Sequence, residues 1–212
     1  ALVFSGLIVW VAEVARREEF GLLRVAELDG LLPVVLGFGI LDVWTYWWHR
    51  LNHRVPFLWR FHRMHHSDPA VDVTTATRFH VGEILLSSLM RVALIPLFGI
   101  PIESVIAFDV IQLPLIAFHH ANISLPERAD RALCWFVVTP FMHKVHHSRR
   151  KQETDSNYSS VLSVWDRVFR SFVQIDDHRT IRFGLDGFDD ERHQSLTGLL
   201  KTPLIEESRR KE

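Results

Sequence analysis

At 212 residues and 48% hydrophobic content, the chain is long enough for one substantial domain but lies where composition does not separate soluble from membrane proteins. A formal net charge of -1 leaves no cationic excess to neutralise a phosphate backbone, which argues against nucleic acid as a partner. Cys134 is the single cysteine, so neither an intrachain disulfide framework nor a thiolate-rich metal site is available, and the 13 histidines are the anomaly.

The expected fold class is all-α, an integral membrane helical bundle of about four spans read as one domain over residues 1–212. Residues 1–12 are an apolar run that opens without Met or the basic flank of a signal peptide, and they read as the remaining half of a truncated first span. Residues 31–48, 84–100 and 102–118 are apolar over lengths at the short end of those that cross the hydrocarbon core. A soluble bundle of buried helices is the competing reading, because Asp42, Arg91, Asp109 and Gln112 interrupt the runs. Trp10, Trp44, Tyr46, Trp47, Trp48, Trp59 and Trp135 sit near the proposed ends and favour a membrane, since amphipathic rings prefer the headgroup zone. Charge agrees: Arg50, Arg54, Arg60 and Arg63 follow the 31–48 run and mark that side as cytoplasmic. Residues 49–80 and 119–212 form the cap on that side, and every histidine falls within it.

Three finer expectations accompany this layout. Asp42, Tyr46, His49 and His53 share one helical stripe, which reads either as a polar face in the bundle or as a polar path from the cap into the membrane. Arg91 and Asp109 each lie nine residues from Ile100, so a hairpin turning there places them at matching depth, where a buried ion pair offsets much of the cost of two charges. Past Asp176 the chain is charged and loop-like. Within it, residues 189–200 read as an interfacial segment or an ordinary surface helix, and 206–212 as an exposed run.

The histidines form three clusters: His49 and His53; His62, His65 and His66; His143, His146 and His147. Residues three and four apart share a helix face, so each cluster can aim its imidazoles at a common point. One such cluster arises by chance; two copies of His-x-x-His-His behind a His-x3-His point to metal. Eight imidazoles exceed the needs of one ion with an open position and suit two ions with about four ligands each. Imidazole accepts iron, zinc or copper alike. The clusters hold no carboxylate, and no glutamate occupies the general-base position of a His-Glu-x-x-His hydrolase.

The order of these clusters between apolar runs resembles the superfamily of fatty acid hydroxylases and sterol desaturases, from about Leu41 to Phe172. Flanking words carry the resemblance: Asp42-Val-Trp-Thr-Tyr-Trp-Trp-His-Arg, Leu58-Trp-Arg-Phe-His, Thr75-Ala-Thr-Arg-Phe-His, His120-Ala-Asn, Thr139-Pro-Phe-Met-His, and Trp165-Asp-Arg-Val-Phe. It implies that His49, His53, His62, His65, His66, His143, His146 and His147 are ligands, with His120 a ninth and His80 a weaker candidate as ligand or supporting residue. His119 departs from the family, which usually has one histidine before Ala-Asn, and Ser159 stands where relatives often have Gly. His178 and His193, in the charged tail, read as solvated.

The resemblance also implies a pair of iron ions, with zinc possible on purification, and dioxygen as co-substrate. Hydroxylation or desaturation of a lipid C–H bond would follow. Nitrogen ligands need acceptors to fix their tautomers, and Asp42, Asn52, Asp68, Asn122, Asp155, Asn157 and Asp166 are the candidates, with Tyr46 beside them. The sequence has no Gly-rich dinucleotide fingerprint, haem attachment motif or iron–sulfur cysteine set, so an external reductase or small redox protein is expected to supply electrons. A membrane zinc hydrolase and a noncatalytic histidine-rich metal binder are the rival readings.

Overall fold

The computed structural model describes residues 2–206, which leaves most of the expected exposed run at 207–212 outside the described residues. The chain is helical, and its one β feature among the described residues is an isolated antiparallel bridge between Val137 and Leu162. Helix α1 (Leu2–Arg17) and the short α2 (Leu22–Val25) precede α3 (Leu32–Arg54). Pro56 crowds the residue before it and disfavours the helical region there; Val55 is extended at ψ 114 and the chain restarts as α4 (Pro56–His66), with the proline in its first turn. This break brings His62 and His66 back toward His49 and His53.

Helices α5 (Val81–Phe98) and α6 (Ile102–His120) form the expected hairpin. Gly99 closes α5 in the left-handed region at φ 65, where an L side chain is strained, and Pro101 caps α6. The cap then adds α7 (Glu127–Leu133), α8 (Pro140–His146), α9 (Lys151–Thr154), α10 (Val164–Val168), α11 (Glu191–Gln194) and α12 (Leu196–Lys201). Thr139 caps α8 by accepting from the Met142 amide at 3.3 Å, which fixes the start of the third histidine cluster.

The main core joins α1, α3, α5 and α6 through Ile8, Leu41, Ile95, Val105 and Phe108, with Phe38 edge-on to Phe108 at 5.4 Å. Burying side chains of this size contributes about 1.5–3 kcal/mol each. Helices α3 and α6 approach closely at Gly37, where an added Cβ would lie 2.4 Å from Ser104 Oγ. A smaller cluster of Trp59, Leu185 and Phe188 fastens the tail to α4.

Of the four expected spans, α5 and α6 are long and apolar enough to cross a membrane, and with 17% and 22% of their residues buried they lack the cover of a soluble core helix. Helix α1, at 16 residues, extends about 24 Å at 1.5 Å per residue. Helix α3 has the length, at 23 residues, but it carries Asp42 near its midpoint and the first histidines toward its end. The tail is more structured than expected. Buried Arg63 donates to the carbonyls of Thr202 and Ile205, and Gln194 Nε2 donates to Ser67 and Phe188 carbonyls, tying 189–200 to the cap while Leu196 and Leu200 stay exposed.

Candidate metal centre

Nine imidazoles from four helices converge in two groups, each with ring nitrogens within 4.8 Å of one another. The first holds His49, His53, His62, His66 and His146; the second holds His65, His120, His143 and His147. The clusters do not each aim at one point, as the spacing alone suggested. At 3.6 residues per turn, positions i and i+4 lie about 40° apart, whereas adjacent residues lie about 100° apart. His62 and His66 therefore face the first group while His65 faces the second, and in the other copy His143 and His147 face the second group while His146 faces the first.

Local structure sets which nitrogen points inward. In the first group, His49 Nδ1 donates to the Tyr158 carbonyl at 2.8 Å, His146 Nδ1 to the Ser156 carbonyl at 2.6 Å, and His62 Nδ1 to Glu83 Oε1 at 2.7 Å. Asp155 Oδ1 lies 3.6 Å from His53 Nδ1. A neutral imidazole has one N–H, so these bonds leave lone pairs on the Nε2 atoms of His49, His62 and His146, which have no other partner. In the second group, His120 Nδ1 is taken by the Ile116 carbonyl at 2.8 Å, and its Nε2 lies 3.2 Å from His65 Nε2 and 3.0 Å from His143 Nε2; His147 Nε2 is 3.1 Å from His143 Nε2.

Ligands about 2.0–2.1 Å from a common ion stand on the order of 3 Å apart, so the second group has the spacing, and the first the converging lone pairs, of metal sites. Protonation state agrees. Burial, and then the neighbouring imidazoles, hold His65, His66, His143 and His147 well below the ordinary histidine range, and burial pushes His146 down to about 3. Their lone pairs are free at neutral pH.

One loop does much of the orienting. Asp166, fully buried, accepts from the Tyr158 and Ser159 amides at 2.8 and 2.9 Å and from Ser171 Oγ at 2.7 Å. Burial raises its carboxyl above the usual range against the pull of these bonds. Asn157, at φ 52, donates to the Met142 and Val173 carbonyls. The two residues hold the backbone whose carbonyls orient His49 and His146.

A cavity of about 260 Å³ opens from the histidines between α3, α5 and α6, with Thr45, Trp48 and Asn52 on the α3 wall. At its other end Arg91 Nη2 donates to Asp109 Oδ1 at 2.9 Å. This is the ion pair that matching depth predicts, though Asp109 is only half-covered by protein.

The other expected residues have different places. His80 lies outside both groups: it caps α5, accepting from the Gly82 amide, and its Nε2 is 3.1 Å from the Leu200 carbonyl. His119 is buried beside His143, with ring centroids 4.1 Å apart, and lines the cavity without joining a group. Asp42 and Tyr46 are not a path to the metal groups. Asp42 Oδ2 accepts from Trp165 Nε1 at 2.7 Å and the Leu162 amide at 3.2 Å, and Tyr46 bonds Ser171 and Arg50, so both clamp α3 to the 158–171 loop. Asn122 accepts from Lys144, and Asp68 from Thr75. His178 and His193 are half-buried against Phe141 and Phe188 rather than solvated. Glu83 is the residue the sequence reading missed; its signal was a lone carboxylate at the mouth of an apolar helix, costly unless paired.

The profile of the fatty acid hydroxylase family matches residues 34–171, and the chain belongs to that family. Every histidine of both groups lies in the matched span. Alkylglycerol monooxygenase of Xenopus tropicalis is 35% identical over 133 residues, covering 63% of this chain and 29% of that protein. Ornithine lipid hydroxylase OlsE of Rhizobium tropici is 32% identical over 143 residues, covering 66% and 41%. A cholesterol 25-hydroxylase-like protein of Danio rerio is 29% identical over 153 residues, covering 68% and 59%. The chain thus spans less than half the length of the first two relatives. No solved structure matches it.

Proposed function

We propose that the chain oxidises a C–H bond of a membrane lipid with dioxygen at a pair of iron ions, one held by each histidine group. The observation that carries this reading is the joint one: two groups of inward lone pairs open onto a cavity that runs between helices apolar enough to sit in a bilayer. Imidazole sets of this kind suit iron as well as zinc or copper, and two reduced irons would supply the electrons that cleave dioxygen. For hydroxylation the balance is one C–H bond and one dioxygen converted, with two electrons and two protons, to one C–O–H group and one water. The electrons come from a reductase or small redox protein, as none of these 212 residues forms a motif for a redox cofactor.

The chain's own residues bind and orient. Trp44 and Trp48 stack at 6.3 Å, and Trp44 also borders an apolar groove between α3 and α5, which gives a lipid an entry from the bilayer. The 155–158 loop and Glu83 fix the imidazole tautomers, and the apolar walls exclude water from the reacting carbon. The metal centre sits at the cytoplasmic end of the spans, beside Arg50, Arg54, Arg60 and Arg63.

A membrane zinc hydrolase is the competing reading, but Glu83 and Asp155, the carboxylates beside the groups, face histidine nitrogens instead of standing free as a general base. Metal analysis and oxygen uptake by the purified chain, with a chemical reductant and a total lipid extract, test the proposal. About two irons per chain and lipid-dependent oxygen consumption are expected. Tight zinc with no oxygen uptake under any lipid would overturn it.

A further inference from the structure

The cavity is more polar than a channel for plain hydrocarbon requires. On α5, Glu83, Ser87 and Arg91 recur every fourth residue as one stripe of a helix whose other residues, Ser88 apart, are apolar, and all three line the cavity. Gln112 of α6 lines it as well. Polar groups at membrane depth are costly and need partners. Glu83 has His62, Ser87 Oγ donates to the Ile84 carbonyl, and Gln112 Nε2 donates to Ser160 Oγ at 3.1 Å. Arg91 is different. Its Nη2 is paired with Asp109 and its Nε is enclosed by protein, while Nη1 is not enclosed, has no hydrogen-bond partner and is the donor that the cavity can reach. A guanidinium offers five donors in a fixed fork, so one carboxylate contact leaves it open to a further acceptor.

We propose that Arg91 is a specificity-determining donor that hydrogen-bonds a neutral oxygen of the lipid, a hydroxyl, carbonyl or ether group lodged in the bilayer away from the carbon presented to the histidines. Eight residues separate Glu83 from Arg91, about 12 Å at the helical rise, which sets the distance between that oxygen and the metal end. Asp109 already compensates the guanidinium, so a carboxylate here would bring unpaired negative charge into a poorly solvated cavity, whereas a neutral acceptor completes the donor set at no net charge. The preferred substrate class is then a lipid with an internal or terminal oxygen group, and not a simple alkyl chain. This inference rests on the proposed function only in taking the cavity as the lipid site.

Binding of tritiated dodecan-1-ol to the full chain in detergent micelles, competed with unlabelled dodecan-1-ol or dodecane, tests it without turnover. The alcohol should compete about tenfold or more better than the alkane, as expected for a hydrogen bond to a charged donor. Arg91→Met combined with Asp109→Leu removes the whole pair and should bring that ratio down toward one while dodecane still competes. Arg91→Lys keeps the charge opposite Asp109 but lacks the second Nη donor, and should lower the ratio in the same comparison if the double variant does not fold. An unchanged ratio overturns the proposal and leaves the lipid cavity standing. No displaceable binding of either probe to the wild type overturns the lipid cavity itself, and this inference with it.

Discussion

Glu83→Gln separates metal affinity from folding. The substitution keeps the side chain's size and leaves an amide oxygen to accept from His62 Nδ1, but it removes the charge. In the wild type the carboxylate lies 2.7 Å from that nitrogen, with side-chain exposures of 8% for Glu83 and 2% for His62, and Glu83 Oε2 has no partner. Two consequences of opposite sign follow. A charge-assisted bond is roughly twice as strong as a neutral one and raises the basicity of the ligating nitrogen. Losing such a partner typically costs 10- to 100-fold in metal affinity, about 1.4–2.8 kcal/mol. The metal-free protein, by contrast, is relieved of a buried carboxylate with an unsatisfied oxygen, so its melting temperature should hold or rise. Glu83 touches the first histidine group and not the second, so one ion should weaken and the other should not. Chelator competition with metal counting, together with melts of the metal-free protein, reads all three quantities. Parallel loss of both ions, or a lower metal-free melting temperature at unchanged affinity, would refute the reasoning and make Glu83 a structural anchor.

Neighbouring histidines should fail differently: His66→Ala weakens the ion of the five-membered group and His65→Ala that of the four-membered group, so each variant retains one ion per chain by mass spectrometry. Acid should unfold the metal-free protein early. An unfolded histidine takes a proton below about pH 6.5, whereas folded His146 does so only near 3, so between these values the unfolded state binds more protons and stability falls as pH is lowered, roughly 1 kcal/mol per pH unit for each such histidine. A metal-free melting temperature flat from pH 7 to pH 5 would contradict this burial. Asp42→Ala should act through the loop it clamps, costing about 1–3 kcal/mol of stability by leaving Trp165 Nε1 and the Leu162 amide without their acceptor. A loss of turnover at unchanged melting temperature would instead restore the polar-path reading of the Asp42 stripe.

Eight of the nine grouped histidines were legible in the sequence because the i, i+4 spacing and the repeat of His-x-x-His-His are helix-periodic, while His120 came only from the resemblance of His120-Ala-Asn to the family; the Arg91–Asp109 pair was legible too, since it needed only a turn and two equal distances along the helices. The division of each motif between two groups was not drawn from the spacing, although 100° per residue dictates it once helices α4 and α8 face each other. The acceptors behind the ligands were harder to find. Those of His49 and His146 are the backbone carbonyls of Tyr158 and Ser156, which no residue type announces. Asp166 and Asn157, whose side chains do announce themselves, act one step further out by holding that backbone. Asp42 and Tyr46 share a face with His49 as expected, yet the loop 158–171 covers that face, a tertiary contact more than 100 residues away in the chain.

The partition of ligands also bears on stability. The first group draws on α3, α4 and α8, and the second on α4, α6 and α8. Each would-be ion therefore joins the two cap helices to one membrane-side helix, α3 in one case and α6 in the other. Helices α4 and α8 are short, 11 and 7 residues, and marginal alone; each buries a few apolar side chains, Trp59 and Met64 on α4 and Met142 and Val145 on α8, and the buried imidazoles add little to that apolar surface. Their position rests on the Trp59, Leu185 and Phe188 cluster, on the Asp166-held loop, and on whatever the inward lone pairs bind. Metal binding is then folding free energy for the cap more than for the spans, whose core of Leu41, Ile95 and Phe108 contains no ligand. Removing both ions should loosen α4, α8 and the 155–158 loop while the α3–α6 core stays packed. Hydrogen exchange on metal-free and metal-loaded protein distinguishes this from a uniform loss of protection, the outcome required if the ions stabilised the bundle as a whole.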